Sequence, residues 1–264
     1  NAITIASIFL GIGAGVAFGF NDLYINIIGI ILLVWANSFD SADGQLARMT
    51  KQYSRLGRIL DGLSGDFWFF AIYVAICIRE NYTSTFFMAH PWLIWVIAVT
   101  TGICHAMADY YRQFHLYFLK GEDGSELETA SDLKEKLAAI PWKGNFFKRL
   151  TLSTYTNYTI QQEATAPAMQ ILRKEMKAAY PDGVLPQQLR HDFRMASLPL
   201  MKYTNILSFN WRTIALFTSI LACMPWLYFA FEFIVLNIIL IYMIARHERI
   251  CKDFTKRIQN GQYK

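Results

Sequence analysis

Charged residues are scarce in this chain, and its few cysteines show no pattern. Asp, Glu, Lys and Arg make up 17% of the 264 residues, whereas a soluble domain usually carries about 25%. The four cysteines form no metal-type pair and three stand in apolar stretches, which excludes a disulfide framework. There is no internal repeat or low-complexity segment, and the net charge of +5 does not suggest nucleic acid.

Apolar residues are abundant and occur in long blocks. Hydrophobic residues make up 54% of the chain and aromatic residues 16%. Crossing a bilayer takes about 20 mostly apolar residues, and six blocks approach that length. They run near 2–19, 23–46, 57–78, 91–118, 208–226 and 228–245. The sequence therefore predicts an all-α integral membrane protein with six transmembrane helices.

A polar stretch at about 120–205 separates the fourth block from the fifth. It holds five of the seven prolines and has mixed charge. Helical patterns are predicted within it at 132–139, 161–179 and 187–198. We therefore divide the chain into 1–119, the 120–205 insert, and 206–264. The insert either caps a site beside it or only stabilises or dimerises the protein.

The placement of positive charge predicts the orientation. Short loops rich in Lys and Arg stay on the cytoplasmic side of a membrane. Six spans with both termini and the insert in the cytoplasm place nearly all such residues correctly. For a bacterial protein, this predicts the plasma (inner) membrane. The residues are Lys51, Arg55, Arg58, Arg112, Arg246, Arg249, Lys252, Lys256 and Arg257.

Three acids meet at the cytoplasmic ends of the second and third blocks. Asp40 and Asp43 are three residues apart, so they share one side of a helix. Asp61 stands one turn into the next helix, which the short connection makes an antiparallel neighbour. Ionisable groups in spans cost roughly 2.5–3.5 kcal/mol each on insertion scales, so this grouping points to function rather than to isolated capping or snorkelling charges.

The residue types around these acids suit a metal and phosphate site. Three ionised carboxylates in one small site need compensating cations, and oxygen ligands favour Mg²⁺ or Mn²⁺. A two-metal site stabilises both attacking and leaving oxygens in displacement at phosphorus. Small residues let phosphate approach the backbone, and arginines neutralise its charge. The small residues are Gly44, Ala47 and Gly57, and the arginines are Arg48 and Arg58.

The same residues resemble the signature of the CDP-alcohol phosphotransferase family. That signature reads Asp-x2-Asp-Gly-x2-Ala-Arg-x8-Gly-x3-Asp-x3-Asp. The chain matches it in order and spacing at Asp40, Asp43, Gly44, Ala47, Arg48, Gly57 and Asp61. Asn1 and Thr4 also resemble the family's Asn-x2-Thr start, which is a weaker signal.

The resemblance implies a metal-dependent enzyme that transfers a phospho-alcohol from a CDP-linked donor to an acceptor hydroxyl and releases CMP. Motif carboxylates would hold two metals, with Asp40, Asp43 and Asp61 as ligands and Asp61 in the catalytic centre. Thr4, Gly57 and the motif residues Gly44, Ala47 and Arg48 would bind the nucleotide. Members of the family are usually homodimers in the membrane.

One position departs from the signature. The last Asp has no counterpart at its expected place, which holds Gly65, and Asp66 follows directly. The resemblance implies that this Asp is the usual candidate for the general base and a further metal ligand. On an ideal helix Gly65 lies about 40° from Asp61 and Asp66 about 140°. We predict that Asp66 replaces the missing carboxylate, which requires a π-bulge at 62–65 to turn it inward. The alternative is that another group, His105 or Asp109, supplies the base.

The direction of transfer stays open in the sequence. Arg58, Arg112 and Arg212 are candidates to bind a phosphorylated acceptor, or else they serve topology and lipid headgroups. The leading prediction is phosphatidyl transfer from CDP-diacylglycerol to inositol or inositol phosphate. The alternatives are transfer from a soluble CDP-alcohol to diacylglycerol or ceramide, a non-catalytic membrane scaffold, and a transporter. Acids near one membrane surface, beside small residues and arginine, favour the enzyme over ion passage.

Overall fold

The computed structural model describes residues 2–50, 55–83, 88–121, 127–141 and 144–263. Within these ranges the chain forms helices and connecting turns, without a strand. The principal helices are α1 (Ala2–Phe18), α2 (Leu23–Thr50), α3 (Arg55–Thr83), α4 (Trp92–Lys120), α5 (Ala130–Ala138), α6 (Phe146–Thr165), α7 (Pro167–Ala179), α8 (Gln187–Ser197), α9 (Met201–Leu207), α10 (Phe209–Leu221), α11 (Trp226–Ala230) and α12 (Asn237–Gln259). A π-helical turn, Phe231–Leu236, joins α11 to α12.

Every predicted apolar block is occupied by helix. Among the described residues, three stretches are long and apolar enough to cross a membrane, and α1 is a shorter apolar helix. The three stretches are Leu23–Asp43, Trp92–Lys120 and Trp226–Gln259. Many large apolar side chains on α2 are exposed, among them Ile28, Val34 and Trp35, as expected for a surface that faces lipid. The all-helical, membrane-embedded fold is confirmed, while the count of six spans stays a prediction.

The chain packs as two compact units. The first contains Asn1–Thr100 and Arg212–Phe233, and the second contains Thr101–Trp211 and Ile234–Lys264. In the first unit, α1 packs against both α2 and α3. In the second, α12 packs mainly against α7, with further contacts to α8 and α9. The stretch at 120–205 is helical, as predicted, and belongs to the second unit.

Glycines bring α1 against its neighbours at van der Waals distance. A Cβ built on Gly11 would lie 2.0 Å from Cδ1 of Trp68, and one on Gly15 would lie 2.8 Å from the carbonyl carbon of Ala71. Neither position has room for a methyl group. Trp68 and Ala71 belong to α3, so these glycines set the distance between α1 and α3.

Changing Gly15 to Ala is therefore expected to destabilise the first unit. The added methyl group must push α3 backbone away, and overpacking of this kind costs about 1–3 kcal/mol. The matched control is Gly13→Ala on the same helix, where the new Cβ would be an ordinary 3.7 Å from Leu32 and the gain in helix propensity is the same. Thermal unfolding in detergent should show a lower Tm for Gly15→Ala alone. Equal Tm values would contradict the close packing.

The predicted helix at 161–179 is wrong in one respect, because the chain breaks within it. α6 ends at Thr165 and α7 begins at Pro167. Proline cannot donate an intrahelical hydrogen bond and favours the first position of a new helix. α6 also starts at Phe146, well before the predicted segment. The helices predicted at 132–139 and 187–198 are confirmed as Ala130–Ala138 and Gln187–Ser197.

Candidate active site

The first two motif acids lie in the last turns of α2. Asp40 and Asp43 are both half-buried, and α2 continues past them to Thr50. Their spacing on a regular helix places them on one side, as the sequence predicts. Gly44, Ala47 and Arg48 also lie in α2, but their side chains are outside the described residues.

A hydrogen bond joins α1 to the motif. The hydroxyl of Thr4 donates to Oδ2 of Asp43, and Thr4 has no exposed surface. The hydroxyl of Ser7, one turn further along α1, donates to the carbonyl of Thr4 at 2.7 Å. Two residues that the sequence predicts for one site, 39 positions apart, are thus brought together. A hydroxyl that donates to one carboxylate oxygen fixes the orientation of that carboxylate.

The third helix carries the rest of the motif on a regular backbone. Arg55–Thr83 is continuous α-helix, so the predicted π-bulge at 62–65 is wrong for the described backbone. Position 66 therefore keeps its angle of about 140° from position 61. A Cβ added at Gly65 would meet no described atom within 4 Å. The predicted site residues Gly57, Arg58, Asp61 and Asp66 lie in this helix, but their side chains are outside the described residues. Their roles stay predictions.

The alternative bases lie on α4. His105 is exposed and Asp109 is half-buried, one helical turn apart. Arg112, a predicted acceptor-binding residue, is exposed further along the same helix. All three belong to the second unit.

Arg212, predicted to bind the acceptor, has a buried partner that the sequence did not indicate. Its Nε donates to Oε1 of Glu232 at 2.8 Å, and only 8% of Arg212 is exposed. The hydroxyl of Tyr73 donates to the other oxygen of Glu232. The signal for Glu232 was available, because it is a single acid in an otherwise apolar block and such acids need a partner.

The oxygen atoms available at the motif are suitable ligands for a hard divalent cation. Asp40 and Asp43 offer carboxylate oxygens on one helix side, and Thr4 supplies the supporting hydrogen bond. Among the described residues, no group of three or more His, Cys, Asp or Glu side chains is close enough to hold a metal ion. The other two predicted ligands, Asp61 and Asp66, have side chains outside that set. The structure therefore describes the side chains of two of the four predicted metal ligands.

A separate cavity of about 1070 Å³ lies in the second unit. None of the predicted site residues lines it. Its wall includes the start of α5, where Thr129 caps the helix by accepting from the backbone N–H of Asp132. A hydrogen bond from the Thr129 side chain lowers the pKa of the Asp132 carboxyl. Three basic residues of α7 complete one side: Arg173, Lys174 and Lys177.

The segment that contains α1 to α3 matches a known protein family. The family model described as CDP-alcohol phosphatidyltransferase matches residues 1–117. Over these residues, a little under half of the chain, the protein is similar to the CDP-alcohol phosphatidyltransferase family. The match contains every motif residue, from Thr4 to Asp66, and the alternative bases on α4. The family's transferases carry out phosphotransfer in phospholipid synthesis, which agrees with the apolar helices.

The family match ends before the polar stretch. Residues 118–264 lie beyond it. A search of curated proteins and a search of solved structures each found no significant match. The family therefore accounts for the motif and for the membrane helices around it, and the stretch at 120–205 is a feature of this chain beyond the matched segment.

Proposed function

We propose that this protein transfers the phosphatidyl group of CDP-diacylglycerol to the hydroxyl of a polar acceptor such as inositol or inositol phosphate, releasing CMP. The acceptor oxygen attacks the phosphorus that bears the diacylglycerol. A new phosphorus–oxygen bond forms, and the bond from that phosphorus to CMP breaks with its electrons leaving on CMP. The family match over residues 1–117, which hold the whole motif, carries the proposal.

The residues divide between three tasks in this proposal. Thr4, Gly57 and the motif residues Gly44, Ala47 and Arg48 bind the cytidine diphosphate part of the donor. Asp66 is proposed to take the proton from the acceptor hydroxyl, with His105 and Asp109 as the alternative bases. Arg58 and Arg112 are proposed to bind a phosphate on the acceptor, and Arg212 stays a prediction for the same task.

The carboxylates of Asp40, Asp43, Asp61 and Asp66 would hold two Mg²⁺ or Mn²⁺ ions. When bound, such ions neutralise the diphosphate and stabilise the leaving oxygen. The hydroxyl of Thr4 keeps the Asp43 carboxylate in one orientation, so this ligand is preorganised before any ion arrives. The half-buried position of Asp40 and Asp43 leaves them accessible.

We also propose that the site, both termini and the 120–205 insert face the cytoplasm and that the protein is a homodimer. The positively charged residues near the ends of the helices support this orientation. α12 continues to Gln259 and carries five of them after position 245. The polar composition of 120–205 suits an aqueous location.

The decisive measurement is CMP release from CDP-diacylglycerol by the purified protein in detergent, with Mg²⁺ or Mn²⁺ and a series of polar acceptors. We expect release that requires both the divalent ion and one acceptor. Release only from a soluble CDP-alcohol with diacylglycerol or ceramide would reverse the proposed direction. Donor binding without any release would favour the non-catalytic scaffold. Heat-denatured protein and chelator-treated protein are the controls.

A further inference from the structure

A carboxylate without exposed surface is held between three helices of the first unit. Glu232 accepts from Nε of Arg212 on α10 and from the hydroxyl of Tyr73 on α3. The guanidinium carbon of Arg212 also lies 3.8 Å from the ring centroid of Phe69, again on α3. We call Tyr73, Arg212 and Glu232 the Glu232 cluster.

The Glu232 cluster is poorly explained by stability alone. A buried ion pair is often no more stabilising than apolar residues of similar volume, because both charges lose their hydration. What such a pair does provide is geometry, since its hydrogen bonds are satisfied in one arrangement only. Glu232 also lies in the π-helical turn Phe231–Leu236. Turns of this kind change the direction of side chains and occur frequently at functional sites.

Two residues of α3 take part in these contacts, and both follow position 66 closely in the sequence. Phe69 and Tyr73 are three and seven residues beyond it, on a continuous α-helix. On such a helix, position 66 lies about 60° from position 69 and about 20° from position 73. The helix side that the cluster holds is therefore the side that carries position 66. Rotation of α3 about its axis would break both contacts.

We propose that Tyr73, Arg212 and Glu232 fix the rotation of α3 and thereby the orientation of its motif residues, Asp61 and Asp66, for the transfer reaction. They are positioning residues, because they act through α3. The proposal rests on the function proposed above, in which Asp66 is the base. It gives Arg212 a task different from binding the acceptor, and the two tasks predict different kinetics.

The first test compares kcat with KM in Glu232→Gln and Tyr73→Phe. We expect kcat for CMP release to fall by about tenfold or more, since misplacement of a reacting group by 1 Å can cost a hundredfold. The KM values for donor and acceptor should stay within about twofold, as for a loss confined to the transition state. The matched control is Tyr111→Phe, because the buried hydroxyl of Tyr111 has no hydrogen-bond partner among the described residues.

Arg212→Gln separates the two tasks of that arginine. As a positioning residue it should lower kcat like Glu232→Gln, and the double variant should be no worse than the poorer single variant, because the pair acts as a unit. A raised acceptor KM in Arg212→Gln, with unchanged kinetics in Glu232→Gln, would overturn the proposal and assign Arg212 to the acceptor.

A second readout does not depend on turnover. Gly65→Cys, in a background with the four native cysteines replaced, places a thiol where an added Cβ meets no described atom within 4 Å. Its rate of reaction with a maleimide reports the placement of α3 next to position 66. We expect the rate to change several-fold in Glu232→Gln and Tyr73→Phe, and to be unaltered in Tyr111→Phe. An unaltered rate in all folded variants would refute the positioning role, whereas absence of CMP release in the wild-type chain would refute only the proposed reaction.

Discussion

Replacing Asp66 with Asn is expected to remove nearly all CMP release while leaving the binding of the CDP-linked donor intact. A positioned general base contributes about a hundredfold to ten-thousandfold to a rate, and Asn has similar size but cannot take a proton. Turnover and donor binding are measured separately, by CMP release and by equilibrium binding of the donor.

A rescue experiment makes this expectation sharper. Gly65 occupies the place where the family signature has its last Asp, and an added side chain there starts in open space among the described residues. We therefore expect Gly65→Asp to restore part of the turnover of Asp66→Asn. Gly65→Asn in the same background is the matched control, because it adds the same bulk without an acid. Normal turnover in Asp66→Asn alone would rule out Asp66 as the base and turn attention to His105 or Asp109 on α4.

Replacing Asp43 with Asn is expected to lower CMP release by more than about a hundredfold, because it removes a charged ligand from the proposed metal site. Thr4→Val should have a smaller effect of about ten- to hundredfold, since Thr4 orients Asp43 but is not itself a proposed metal ligand. Both variants should need more Mg²⁺ for half-maximal activity. The measurement is a Mg²⁺ titration of CMP release.

Thr4→Ser separates the hydrogen bond from the bulk of the Thr4 side chain. Serine keeps the hydroxyl that donates to Asp43, so this variant should titrate with Mg²⁺ like the wild-type chain. If Thr4→Val also titrates like the wild-type chain, the hydrogen bond does not prepare a metal ligand. If Asp43→Asn keeps full activity at ordinary Mg²⁺, Asp43 is outside the metal site.

Some of this arrangement could be read from the sequence because it depends on local patterns. Apolar blocks must be helical in a membrane, since every backbone group then finds its partner within the segment, and the observed helices follow the predicted blocks. Asp40 and Asp43 share a side of α2 by helical periodicity alone. Thr4 was placed near the motif by the resemblance, and its hydrogen bond to Asp43 supplies the physical reason.

Other features depend on contacts between distant residues. Glu232 meets Tyr73 across 159 positions, and nothing in either local sequence names the other. The described π-helical turn lies at Phe231–Leu236 and not at 62–65. The sequence did not predict its position, because neither segment has a composition that marks such a turn. The break before Pro167 was readable, since proline starts helices, but the polar run around it has no apolar stripe strong enough to define α6.

Hydrogen bonds between Glu248 and α7 connect the polar stretch at 120–205 to the last helix, α12. The backbone N–H of Ala168, in the first turn of α7, donates to both carboxylate oxygens of Glu248 on α12 at 3.1 Å. Met169, Leu172 and Met176 of the same helix are buried, and α7 packs against α12. The polar stretch, which differs in composition from the rest of the chain, is thus held to α12 by the hydrogen bonds at the start of α7 and by buried apolar side chains. Deleting it would leave a carboxylate and an apolar face of α12 uncovered, so it cannot be exchanged for a short loop as a module could.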